Sequence, residues 1–77
     1  MEFKHIEYFL KTCEYTSMSK AVEALYISQQ ALSRCIAGIE QELGCQLFQR
    51  TVKGISLTKE GMYLLNKFSP LMTQYHH

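Results

Sequence analysis

The hydrophobic positions in the first half of the chain recur every three or four residues, which is the spacing of one face of an α-helix. A helix is predicted over residues 3–14, with Phe9 beside its apolar stripe; the stripe consists of Phe3, Ile6, Leu10 and Cys13. A short helix is predicted over residues 18–25 and a longer one over 29–43. The third helix turns four side chains towards the core: Leu32, Ile36, Ile39 and Leu43.

Start and stop signals separate these helices. Ser17 and Ser28 precede the second and third apolar stripes, and a serine hydroxyl can accept a hydrogen bond from a free N–H of the first turn. Gly44 follows the third stripe, where a left-handed conformation can end a helix. Two helices joined by about three residues, with the second one capped and longer, have the helix-turn-helix layout.

After Gly44 the pattern predicts a small β-hairpin. Ile55 and Leu57 alternate with a polar residue, and Val52, Lys53 and Gly54 form a turn signal between them and Phe48. A hairpin this short is marginal alone, so it must pack on the helices.

The last predicted helix follows Thr58 as its N-cap, and Pro70 is expected to kink or interrupt it near Ser69. Its apolar residues form two stripes, Leu64, Phe68, Leu71 and Tyr75 on one side and Met62, Leu65 and Met72 on the other. One stripe can pack on its own domain, which leaves the other for a partner. The fold class is therefore mainly α, a winged helix-turn-helix over residues 1–58 followed by a linker helix over 59–77.

Composition limits the function classes. With 77 residues and 47% apolar residues the chain forms one domain with a marginal core, which a partner subunit would stabilise. There is no apolar run near the length of a membrane span, and charges within the first apolar stretch argue against a secretory signal.

The cysteines and histidines do not suggest a metal, cofactor or enzyme site. The cysteines are odd in number and lack a zinc-ligand spacing, so we expect Cys13 and Cys45 in the core and Cys35 partly exposed, all reduced in a cytosol. A redox role for Cys35 has no support. No nucleophile elbow or phosphate-binding loop occurs.

The net charge of +1 argues weakly against nucleic acid, so the placement of charge matters more than its sum. We expect five of the eight basic residues to line one surface, and most glutamates to lie on other faces. Those basic residues are Lys20, Arg34, Arg50, Lys53 and Lys59. A local patch of this kind is enough for phosphate contacts, although Lys53 could equally be a solvated loop lysine.

The exposed face of the third helix carries amides, a hydroxyl and a guanidinium. Its residues are Gln29, Gln30, Ser33, Arg34, Ala37 and Gln41. Gln can pair with adenine, Arg with guanine, and Ser with either base. An ordinary solvated face is equally compatible with these residues alone, but the capped turn and short helix before them favour DNA binding.

The segment over residues 17–61 resembles the signature of LysR-type transcriptional regulators. The matching residues are Ser17, Met18, Ser19, Ala21, Leu25, Ser28, Gln29, Ala31, Leu32, Ser33, Ile36, Glu40, Leu43, Gly44, Leu47, Phe48, Arg50, Leu57, Thr58 and Gly61. The likeness extends over about residues 3–66. It implies a third helix in the major groove of double-stranded DNA and a wing at the minor groove.

The resemblance also implies roles for individual residues. The residues that would face bases or nearby phosphates are Gln29, Gln30, Ser33 and Arg34. Those that would lie on the DNA backbone or in the minor groove are Ser19, Lys20, Arg50 and Lys53. The helix that begins at Thr58 would form a homodimer, for which we expect the contacts to be Met62, Leu65, Phe68 and Met72. A small-molecule effector would bind only in a carboxy-terminal domain outside this chain.

Four positions depart from the family pattern. Gln30 stands where proline is frequent, Ala37 and Gly38 stand where many relatives carry basic residues, and Pro70 puts the straightness of the dimer helix in question. The second hypothesis from the sequence is a winged-helix module that binds protein and has no DNA role. The two hypotheses differ in whether the patch of Lys20, Arg34, Arg50 and Lys53 is needed.

Overall fold

Helices dominate the part of the chain described by the computed structural model, which covers the backbone of residues 2–76 and the side chains of residues 2–70. Its elements follow one another as α1 (Phe3–Tyr15), α2 (Met18–Leu25), α3 (Gln29–Leu43), β1 (Phe48–Thr51), β2 (Gly54–Leu57) and α4 (Lys59–His76). The two strands pair in antiparallel fashion between α3 and α4. The predicted winged helix-turn-helix is confirmed.

The boundaries of α2 and α3 are set by the predicted capping residues. The Ser17 hydroxyl accepts a hydrogen bond from the Lys20 N–H at 3.3 Å, and the Ser28 hydroxyl accepts one from the Ala31 N–H at 3.0 Å. Gly44 ends α3 with a φ of 73°, and its N–H donates to the Glu40 carbonyl. Because each cap satisfies backbone groups left free at a helix end, these two helices have the lengths that the sequence predicts.

Two helices end in a left-handed residue that is not glycine. Thr16 closes α1 with a φ of 49°, and Tyr26 closes α2 with a φ of 59°. Side chains with a Cβ adopt this conformation only at a steric cost, so the packing of the three helices must hold these turns in place.

The core lies where α1, α2 and α3 meet the start of the hairpin. Its buried apolar residues are Phe9, Ala21, Leu32, Ile36, Ile39 and Leu47. Thr12 is also fully buried, and its hydroxyl donates to the Tyr8 carbonyl at 2.8 Å, which removes the penalty for burying a polar group.

Two residues expected in the core are exposed instead. Phe3 is 49% exposed and Leu43 is 43% exposed. Phe3 is the first residue of α1 and Leu43 the last of α3, and the buried residues of α1 are Phe9 and Thr12 instead of the predicted stripe. Cys13 and Cys45 are only partly buried, at the edge of the core.

The hairpin is attached to the core through its first strand. Phe48 pairs with Leu57 at the base of the hairpin, and Thr51 pairs with Gly54 next to the tip. The Phe48 and Phe9 rings lie 5.5 Å apart between centroids in a tilted arrangement. This aromatic contact supplies the packing that a two-stranded hairpin needs.

The helix α4 runs through Pro70 without interruption. The expected interruption near Ser69 is therefore wrong, since the helical hydrogen bonds on both sides of Pro70 continue although its own nitrogen has no N–H to donate. The expected kink stays a prediction. Leu64 and Leu65 both pack against the core, although they were placed on different stripes. Leu71, Met72 and Tyr75 lie outside the residues whose side chains are described.

Candidate nucleic-acid interface

The amino-terminal half of α3 presents polar side chains to solvent. Gln29, Gln30, Ser33 and Arg34 are all exposed, while Leu32 on the opposite face is fully buried. Gln29, Gln30 and Ser33 line one shallow depression. The helix is thus fixed by its apolar side, and hydrogen-bonding groups of the kind that read base edges point outward.

A groove of about 190 Å³ separates α3 from the wing, which is the hairpin of β1 and β2. Ser33, Ala37 and Glu40 line it on the helix side, and Phe48 and Arg50 line it on the wing side. The fold therefore brings two sequence-predicted site residues, Ser33 and Arg50, to the same groove.

Arg34 lies on the other flank of α3. It lines a groove of about 530 Å³ between α1 and α3, together with Lys4 and Cys35. Burial raises the pKa of the Cys35 thiol, and the nearby Lys4 ammonium partly opposes that rise. The groove that Arg34 lines and the groove that Arg50 lines thus lie on different flanks of α3.

The remaining residues that were predicted to contact the DNA backbone or the minor groove are exposed at two places. Ser19 and Lys20 are exposed in the first turn of α2, and Lys53 is exposed at the wing tip beside the fully exposed Val52. Met18, next to Ser19, lines the groove that also contains Ser33 and Arg50, which puts the start of α2 beside this surface.

Lys59 does not join this group. It lines a separate groove with Leu43 and Cys45, at the carboxyl end of α3. A helix of 15 residues is roughly 20 Å long, so this end lies far from Gln29. Lys59 therefore lies apart from the groove that Ser33 and Arg50 line.

Glu40 has a role that the sequence did not reveal. One oxygen of its carboxylate accepts hydrogen bonds from the N–H groups of Leu47, at 2.7 Å, and Phe48, at 3.5 Å. Because these partners are seven and eight residues further along the chain, no helical spacing could have indicated them. The only available signal was the place of Glu40 in the family signature.

Thr58 joins the wing to α4. Its hydroxyl accepts from the Gly61 N–H at 3.0 Å and donates to the Gln46 carbonyl at 2.6 Å. Its own N–H donates to the Leu47 carbonyl at 3.0 Å. The predicted N-cap is confirmed, and the two additional bonds hold the segment before β1 against the start of α4.

Gly61 permits this junction. A Cβ at this position would overlap the Leu47 carbonyl oxygen and would come within 2.8 Å of a Leu57 methyl carbon. The absence of a side chain therefore lets α4 lie directly on the strand ends, and it gives a steric reason for a glycine at this position of the family signature.

Only part of the predicted dimer set is available for a partner. Met62 is 50% exposed and Phe68 is half-buried, whereas Leu65 is half-buried against the chain's own core. The side chain of Met72 lies outside the described region. Tyr63, which the sequence did not single out, is 64% exposed and lines an apolar groove of about 430 Å³ with Leu43.

Among the described residues, no group of three or more His, Cys, Asp or Glu side chains could hold a metal ion. None of the helices searched there is both long and apolar enough to cross a membrane.

Comparison with known proteins identifies relatives over most of the chain. The family model described as "Bacterial regulatory helix-turn-helix protein, lysR family" matches residues 3–62. The chain is 39% identical over 75 residues to the uncharacterized HTH-type transcriptional regulator YybE of Bacillus subtilis. It is 41% identical over 63 residues to the HTH-type transcriptional regulator BenM of Acinetobacter baylyi.

These alignments cover 97% and 82% of the chain but only 26% and 21% of the two relatives, so the chain spans about a quarter of their length. Among solved structures, the BenM DBD in complex with catB site 1 DNA superposes with a TM-score of 0.92. The two are 36% identical, and the match covers 99% of this chain and 85% of that one. The chain therefore belongs to the lysR family of bacterial regulatory helix-turn-helix proteins.

Proposed function

We propose that this chain is the sequence-specific DNA-binding part of a bacterial transcriptional regulator. Its helix α3 enters the major groove of double-stranded DNA and its wing approaches the minor groove. The observation that carries this proposal is the groove in which Ser33, on the polar face of α3, lies opposite the exposed Arg50 of the wing. The tip of the same wing carries the exposed Lys53. The likeness to BenM, whose DBD is solved with DNA, supports it.

Each residue type on this surface has a defined use. Gln29 and Gln30 can pair with adenine edges, Arg34 can form two hydrogen bonds with guanine, and Ser33 can bind either. Small side chains at Ala37 and Gly38 leave the middle of α3 free to lie close to the groove floor.

Contacts to the DNA backbone fall to residues around α3. Ser19 and Lys20 at the start of α2, with Arg50 and Lys53 on the wing, carry hydroxyls and positive charges suited to phosphates. Since the net charge is only +1, this local patch provides most of the electrostatic attraction.

A second copy of the chain completes the binding unit in this proposal. Met62 and Phe68 on α4 supply apolar surface for a homodimer that matches a two-fold-related DNA site. We expect the protein to act in the cytoplasm, where bacterial DNA lies, and to take its small-molecule effector in a separate domain of the full-length regulator.

A titration of the chain against a promoter duplex and a random duplex tests the proposal. Arg34→Ala should cost about 1–3 kcal/mol on the promoter and relax the preference at one base pair. Lys53→Ala should weaken binding to both duplexes and lower the salt slope by about 0.9. Lys67→Ala removes the same charge from α4, where the ammonium lies over the Tyr63 ring, and should leave that slope unchanged.

The alternative, a winged-helix module that binds protein, makes the opposite prediction. Equal and undetectable affinity for both duplexes at low salt would favour it. So would full activity of a charge-reversed Arg34 variant in the cell.

A further inference from the structure

Glu40 stands where α3 ends and the wing begins. Its backbone carbonyl accepts the N–H groups of Gly44, at 2.8 Å, and Cys45, at 3.2 Å, which closes the helix. Its carboxylate accepts the N–H groups of Leu47 and Phe48, which fixes the first residues of the wing. One residue therefore holds both the end of α3 and the start of β1.

The side chain of Glu40 lies on the face of α3 that is turned to the wing. Ser33, Ala37 and Glu40 follow one another at four- and three-residue steps and line the same groove. Ser33 is roughly 10 Å from Glu40 along the helix, and Arg50 is roughly 7 Å from Phe48 along the strand. Glu40 thus lines a groove whose two sides carry the proposed DNA contacts Ser33 and Arg50.

The segment that Glu40 holds has little freedom to adjust. Leu47 is fully buried, and its carbonyl accepts the Thr58 N–H from the side opposite Glu40. With its N–H bound to α3 and its carbonyl bound to the start of α4, Leu47 cannot shift without breaking one of these bonds.

We propose that Glu40 is a positioning residue for DNA binding. This role rests on the proposed function. Glu40 holds the wing at a fixed distance from α3, so that Arg50 and Lys53 meet the DNA backbone while residues 29–34 occupy the major groove. Glu40 itself does not contact DNA.

The sign of the effect separates this role from simple electrostatics. A carboxylate near DNA repels phosphates, so removing its charge should by itself strengthen binding. A positioning role predicts the opposite, because a neutral acceptor forms weaker hydrogen bonds than a carboxylate and the wing then loses its fixed orientation.

The first measurement compares Glu40→Gln with Glu23→Gln, which removes the same charge from an exposed site on α2. We expect Glu40→Gln to bind the promoter duplex about tenfold more weakly, with a salt slope reduced by up to about 2, the share of two phosphate contacts. Glu23→Gln should bind as well as the unchanged protein or slightly better.

A double-mutant cycle provides the second measurement. In an Arg50→Ala/Lys53→Ala background, where both proposed wing contacts are already lost, Glu40→Gln should weaken binding by less than about threefold. In an Arg34→Ala background it should cost the full tenfold. Equal, independent losses in both backgrounds would overturn the proposal.

The outcomes distinguish the two proposals. If the unchanged chain fails to bind DNA, the proposed function fails. If the unchanged chain binds and a folded Glu40→Gln variant matches it in affinity and salt slope, only the positioning role fails. Should Glu40→Gln lose its helical circular dichroism, Glu40→Asp keeps the charge on a shorter side chain, and the same cycle is decided with that variant.

Discussion

At the scale of single residues, Cys13 shows how packing changes the chemistry of a side chain. It lies at the edge of the core, and burial raises the pKa of its thiol from 9.0 to about 12. The thiolate is the reactive form, so the fold suppresses the reactivity of Cys13 at neutral pH. The expectation that this residue serves mainly as a small apolar side chain agrees with its surroundings.

Alkylation with iodoacetamide, followed by mass spectrometry, measures this effect. In the folded protein near pH 8, Cys13 should react about a thousandfold more slowly than an ordinary thiol, because three pH units separate the two pKa values. Its rate should keep rising about tenfold per pH unit above pH 9 for as long as the protein stays folded. A plateau near pH 9 in folded protein would contradict the shift, and urea-unfolded protein supplies the reference rate.

The distance along the chain to each partner decided which residues could be predicted. Ser17 and Ser28 bind N–H groups three residues away, so a local pattern is enough to identify them. Glu40 binds N–H groups that come near it only after the chain has turned at Gly44. The four polar residues at the start of α3 were found because helical spacing alone separates an exposed face from a buried one.

At the scale of elements, two glycines illustrate opposite uses of a missing side chain. Gly61 lies in the first turn of α4 against Leu47, where a Cβ would overlap the backbone. Gly38 lies inside α3 with no atom within 4 Å of where its Cβ would be. The first glycine permits a close contact between elements, whereas the second only lowers the intrinsic stability of its helix.

Urea unfolding of the two alanine variants should therefore give changes of opposite sign. Gly61→Ala should lower the free energy of unfolding by about 1–3 kcal/mol, because α4 must move away from the strand ends. Gly38→Ala should raise it by about 0.5–1 kcal/mol. Similar changes in both variants would show that the contact at Gly61 is not tight.

Elements were predicted better than their packing. The changes of hydrophobic period located all four helices and the hairpin, but periodicity cannot tell which end of a helix a neighbour covers. Phe3 and Leu43 were placed in the core for this reason, and both are exposed. The left-handed turns at Thr16 and Tyr26 had no signal, since neither residue favours that conformation.

At the scale of the whole molecule, apolar surface remains exposed along one side of α4. Met62, Tyr63 and Leu43 are each more than 40% exposed, and the last two line a common groove. Because a single domain of this size has a marginal core, covering this surface in a homodimer would add stability.

Sedimentation equilibrium on a variant of α4 tests this dimer. Met62→Lys should weaken self-association at least tenfold, since the isologous contact loses the same buried side chain twice. The free energy of unfolding of the monomer should change little, because the side chain is half exposed. Gln30→Lys adds the same charge at an exposed position at the start of α3, far from the groove that Leu43 and Tyr63 line, and is expected to leave association unchanged. Equal effects of the two variants would place the dimer contact elsewhere.

The Thr58 junction couples the position of α4 to the position of the wing. The helix extends 18 residues from Thr58, whose hydroxyl and N–H donate to the carbonyl groups of Gln46 and Leu47. Because of these bonds, a small tilt of α4 should also displace residues 46–47, directly before the wing, by a smaller distance. A domain attached beyond α4 would need no contact with DNA to change how firmly the wing grips it.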